Sequence, residues 1–103
     1  MVYNKLVRDK IPEIIKNNGG ECKTRILDDA EYIEMIDKKL DEELSEYHKD
    51  QNIEELADLL EVIYAACEAR GYTVAELHKI REQKADKRGG FKDKILLIES
   101  TDK

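Results

Sequence analysis

The stretch LDEELSEYHKDQNIEELADLLEVIYAAC, residues 40–67, holds nine carboxylates among twenty-eight residues. Leu40 and Leu44 on its left, and Leu56, Leu60 and Ile63 on its right, recur every three or four residues, the period of an amphipathic helix. KDQN (49–52) between them is a tight polar turn. The stretch therefore reads as a helical hairpin, with helices expected at about 29–48 and 53–70. On a helical wheel Ile33, Ile36, Leu40, Leu44 and Tyr47 form one apolar stripe. Glu43 falls with that stripe, Glu46 lies just outside it, and Glu42 points further toward solvent. In the second helix Ile53, Leu56, Leu60, Ile63 and Cys67 form the main stripe, and Leu59, Val62 and Ala66 add a second apolar side. Glu54 and Glu61 mark the solvent face. Glu55 and Asp58 fall on the second apolar side, where burial would favour leucine.

The spacing sharpens the anomaly. Glu43 with Glu46, and Glu55 with Asp58, are i, i+3 pairs, adjacent on one helix face. A turn centred between residues 50 and 51 sets Glu46 opposite Glu55 and Glu43 opposite Asp58. Two like charges about 5 Å apart cost roughly 3 kcal/mol at an effective dielectric of about 20. Several such pairs would consume much of the ~5–15 kcal/mol stability of a small domain. Some carboxylates stay protonated, a basic side chain inserts, or a divalent cation binds. An all-oxygen set with no His or Cys at matching spacing suits Mg²⁺, with Mn²⁺ as a substitute.

Outward from the hairpin, Ile11, Ile14 and Ile15 predict a short helix over 9–18, with Pro12 in its first turn and NNGG (17–20) ending it. Asp28 and Glu31 form a capping pattern before the first long helix. Thr73 and Glu76 form another before a helix at about 74–88. ECKTRIL (21–27) looks extended, and Ile95–Ile98 reads as a short buried strand that could pair with 22–27. The fold class is all-α, a helical bundle with short extended segments near 22–27 and 94–99, and residues 1–103 form a single domain.

Charge is unevenly placed. Residues 28–61 carry fourteen acids against three bases, whereas 79–94 carry seven bases against three acids. The net charge of −6 disfavours general binding to nucleic acid polymers or anionic membranes. The opening MVYNKLVRDK lacks the apolar core of a signal peptide, and no apolar run approaches the roughly 20 residues of a membrane span. Two cysteines, Cys22 and Cys67, are too few for a disulfide framework. A cytoplasmic protein is expected. Lys84, Lys87 and Arg88 share a helix face next to Gly89 and Gly90, a candidate phosphate contact. Lys5, Arg8 and Lys10 are a second candidate set. The second long helix is apolar on two sides and needs more cover than one chain supplies, so a homodimer or dimer of dimers is expected.

EELSE (42–46) followed by EELAD (54–58) resembles the EExxE…ExxD signature of the all-α NTP pyrophosphatase superfamily. YNKLVRDKIPEII (3–15) and KRGGFKDKILL (87–97) resemble its MazG-like, phosphoribosyl-ATP pyrophosphohydrolase-like branch, often described as house-cleaning. Only eight residues separate Glu46 from Glu55, fewer than in many of those proteins. The resemblance implies Mg²⁺-dependent cleavage of an NTP or dNTP between the α and β phosphates, giving NMP and pyrophosphate, in a house-cleaning role on non-canonical nucleotides. It implies Glu43, Glu46, Glu55 and Asp58 as metal ligands and catalytic residues, one of which could instead take the water's proton. Arg8 also matches a position of that branch. Two alternatives stand beside this expectation. One is a phosphoribosyl-ATP pyrophosphohydrolase. The other is a non-catalytic helical dimeric binding or regulatory module whose acids are salt-bridged.

Overall fold

A computed structural model describes residues 2–101, whose regular secondary structure is all helical, with no strand among the described residues. Four helices follow in order: α1 (Ile11–Asn17), α2 (Asp29–Asp50), α3 (Ile53–Ala69) and α4 (Val74–Arg88). The chain divides into two compact units, with the boundary between Tyr72 and Thr73. Among the described residues, no helix is long and apolar enough to cross a membrane.

The first unit is built on the hairpin of α2 and α3, which pack against each other. Asp28 starts α2 by accepting a hydrogen bond from the Glu31 amide at 2.9 Å. The Glu31 carboxylate also bonds Arg25, at 2.7 Å and 3.2 Å. α2 ends where Gln51 adopts a left-handed conformation (φ 51°) and its amide bonds the Tyr47 carbonyl. Asn52 then caps α3, its side-chain oxygen accepting from the Glu55 amide at 3.0 Å. The turn is thus tighter than KDQN, and α2 runs through Asp50. Gly71, at φ 88°, supplies the left-handed residue that lets the chain leave α3.

The core is small. Ile36 is 2% exposed and Val62 is the other buried apolar residue among those described. α3 turns its second apolar side inward: Glu55, Asp58, Leu59, Val62 and Ala66 are buried or half-buried. Its main stripe faces out, with Ile53, Leu56, Leu60 and Ile63 all exposed, and Leu44 of α2 is exposed as well. The longest apolar stripe in the sequence is therefore an outer face of this unit.

In the second unit, Thr73 and Glu76 form the expected capping box. The Thr73 hydroxyl accepts from the Glu76 amide at 3.1 Å, and the Glu76 carboxylate accepts from the Thr73 amide at 3.3 Å. Beyond α4 the expected strand does not form. Ile95, Leu96, Leu97 and Ile98 are exposed rather than buried. Residues 22–27, its expected partner, form no strand either, and Ile26 is exposed. A strand is held by a ladder to a neighbour, and four apolar residues in a row cannot form one alone.

Candidate metal and phosphate site

Glu43, Glu55 and Asp58 bring one oxygen each to within 4.8 Å of one another across the hairpin. The helix periods do this: Glu43 follows Ile36 by seven residues on the inward side of α2, and Glu55, Asp58 and Val62 share the inward side of α3. The Asn52 cap fixes the Glu55 backbone at the first turn of α3. Glu46 does not join that trio. It forms a second group with Asp50 and Glu55, also within 4.8 Å, so Glu55 belongs to both. Asp50 was not foreseen. Its signal was its place four residues after Glu46, visible only once α2 is extended by two residues.

The bases near these acids are specific. Arg8 donates to an Asp58 oxygen at 2.7 Å. Lys39, a residue the sequence reading passed over, is only 16% exposed at its side chain and lies 3.5 Å from Glu43, whose side chain is 13% exposed. Lys39 also donates to Glu42 at 3.3 Å, and Lys5 donates to the same Glu42 oxygen at 3.0 Å. Glu42 is therefore not a solvent-facing bystander; it is half-buried and holds two lysines. Burial opposes its ionisation, but the Lys5 hydrogen bond and the Lys39 charge outweigh that and hold its carboxyl below the ordinary value. An open cavity of about 250 Å³ is lined by Val7, Arg8, Ile11, Lys39, Glu43, Asp58, Glu61 and Val62. Glu61, exposed as expected, borders it. Lys84, Lys87 and Arg88 are exposed residues of the last two turns of α4, in the second unit.

The Glu55 carboxyl is held above its ordinary pKa. Loss of solvation is the leading cause, followed by the charges of Asp50, Asp58, Glu46 and Glu43. A carboxyl with a folded-state pKa above its unfolded value favours the fold while protonated, below the ordinary carboxylate range. That contribution is lost as pH rises through the folded value. Glu55→Gln mimics the protonated form, so in metal-free buffer it should gain melting temperature over the parent at about pH 7 and little at about pH 4. Melting curves of the two proteins at both pH values check this; an equal difference at both would show that folding does not raise the Glu55 pKa.

The donor set fits a hard divalent cation. It offers only carboxylate oxygens, from two helices, close enough to share one ion, and an ion there would offset the lost solvation and the mutual repulsion that raise the Glu55 pKa. Two of those carboxylates already have basic partners, Arg8 on Asp58 and Lys39 on Glu43.

No protein-family model matches the chain, and no solved structure matches it. A protein of Mycolicibacterium smegmatis, described only as uncharacterized, is 51% identical over 41 residues, covering 40% of this chain. The matched segment spans 42% of that protein's length.

Proposed function

We propose that the chain is a divalent-cation-dependent nucleoside triphosphate pyrophosphohydrolase, splitting an NTP or dNTP between the α and β phosphates. The observation that carries the reading is the convergence of Glu43, Glu55 and Asp58 across the hairpin, with Arg8 and Lys39 beside them. The resemblance of 42–46, 54–58, 3–15 and 87–97 to the all-α NTP pyrophosphatases supports it. Glu43, Glu55 and Asp58, with Glu46 and Asp50 adjoining, would hold Mg²⁺ or Mn²⁺. When bound, the ion polarises a phosphate and neutralises developing charge. Glu46 is exposed and adjoins the trio through Glu55, which suits it to accept the proton of the attacking water. The water oxygen bonds to the α phosphorus, the bond from that phosphorus to the bridging oxygen breaks, and pyrophosphate leaves. Lys39 and Arg8 are placed to meet phosphate oxygens at the cavity wall.

The outward stripe of Ile53, Leu56, Leu60 and Ile63 supports a homodimer, or a dimer of dimers, as the assembly. A non-catalytic helical module is the second reading, and the Arg8–Asp58 and Lys39–Glu43 pairs favour it, since the acids there are neutralised from within the chain. Incubation with a panel of canonical and modified nucleotides and Mg²⁺ decides between them. The enzyme gives NMP and pyrophosphate by chromatography, loses turnover in EDTA, and melts higher with millimolar Mg²⁺. The same sample in light scattering should exceed the 12.0 kDa of one chain by twofold or fourfold. No product from any nucleotide, with no metal-linked shift in melting, leaves the module reading standing.

A further inference from the structure

Outside the acidic trio, two bases, Arg8 and Lys39, line the acidic cavity. Arg8 lies in the irregular segment before α1, and its side chain is 57% exposed. Its guanidinium nevertheless reaches fifty residues along the chain to bond Asp58 at 2.7 Å. It therefore occupies an oxygen of a carboxylate that also converges with Glu43 and Glu55.

We propose that Arg8 is an exchangeable counter-ion: it holds Asp58 while the cation site is empty, and turns to a substrate phosphate when a divalent cation takes that carboxylate. This rests on the pyrophosphohydrolase reading above. Charge balance gives the reason. Arg8 and Lys39 face Glu43, Asp58 and Glu61 around the cavity, and Glu55 converges on the same ligand set, which leaves two net negative charges. That sign attracts a cation and repels a triphosphate. A divalent cation cancels that charge, and the released guanidinium presents its planar donors to phosphate oxygens. Binding becomes ordered, cation first and nucleotide second. The exposed side chain of Arg8 and its non-helical backbone permit the movement, whereas Lys39, on α2 and mostly covered, stays in place.

The two halves of the proposal predict opposite effects of one substitution. Arg8→Gln leaves Asp58 without its competitor, so Mn²⁺, titrated alone and followed by calorimetry, should bind about threefold tighter or better, the scale of an exposed ion pair. With saturating Mn²⁺, a non-hydrolysable α,β-methylene nucleoside triphosphate should bind about tenfold weaker, the scale of one charge-assisted contact. Arg25→Gln removes the same charge from a pair with Glu31 at the start of α2 and should change neither affinity. Arg8→Lys keeps the charge without the planar fork, so it should hold Mn²⁺ affinity near the parent value and still weaken the analogue. Circular dichroism confirms that each variant is folded, and Arg8→Lys carries the test if Arg8→Gln is not. Mn²⁺ binding by Arg8→Gln that is unchanged or weaker overturns the exchange while leaving the enzyme reading intact. Analogue binding that both Arg8 variants retain overturns it equally. Failure of the parent protein to bind Mn²⁺ at millimolar concentration removes the exchange and the enzyme reading together.

Discussion

Asp58→Asn should cut turnover at saturating Mg²⁺ by at least about 100-fold, with Glu55→Gln and Glu43→Gln falling as far, the scale of losing a positioned catalytic group. Each change keeps the side chain's size and removes one of the three charges that converge across the hairpin. Two neighbours serve as internal comparisons. Glu54 is exposed and belongs to neither acidic group, so Glu54→Gln should leave rate and stability nearly unchanged. Glu42 holds Lys5 and Lys39, so Glu42→Gln should cost about 0.5–1 kcal/mol in stability while keeping most of the turnover. Asp58→Asn has a further consequence, since Arg8 loses the charge it now bonds. Rates for the five variants, measured beside urea melts, separate damage to the site from damage to the fold. If Glu42→Gln is as inactive as Glu43→Gln, the ligands have been assigned to the wrong face of α2. If no carboxylate matters, the acidic hairpin is a surface and the enzyme reading falls with it.

What the sequence disclosed about this hairpin, and what it hid, follow from the same periodicity. All four helices were legible from apolar spacing and caps, as with Thr73 and Glu76, because those signals act within one or two turns. Glu43, Glu55 and Asp58 were legible for a related reason: a charge at an apolar position of a regular period stands out. Asp50 was hidden because helix ends are set by local backbone choices, here the left-handed Gln51, that composition does not announce. Arg8 on Asp58 and Lys5 on Glu42 are contacts between residues fifty and thirty-seven apart, beyond the reach of any local pattern. Lys39 could have been found, since it precedes Glu43 by one turn on the same face. The apolar pattern alone did not say which side of α3 faces α2, because both sides are apolar; the position of the turn did. The side carrying Glu55 and Asp58 turned inward and left the longer stripe outside. The strand expected at 94–99 failed for another reason: four apolar residues specify burial but name no partner.

Glu43→Leu should abolish turnover and, in the absence of metal, raise the melting temperature. Glu43 has one of the most covered charged side chains of the hairpin and lies beside Glu55 and Asp58 at ligand-sharing distance. A carboxylate there loses hydration and meets two like charges, offset by one lysine at 3.5 Å. Leucine removes the repulsion and adds apolar contact beside Val62, worth up to about 1.5–3 kcal/mol for a fully buried side chain. Lys39 loses one partner but keeps Glu42 at 3.3 Å, so it is not stranded. The net gain should be about 1 kcal/mol, or roughly 4–8 °C for a domain of this size. Mg²⁺ should then add less to the melting temperature than it adds to the parent, because one ligand is gone. Stability and activity moving in opposite directions is the signature of a site that keeps charges together for a purpose other than folding. A folded Glu43→Leu protein with full turnover would remove Glu43 from the site. One that melts lower and turns over slowly would instead mean that the Lys39 pair holds the hairpin together, and the helical-module reading would gain what the enzyme loses.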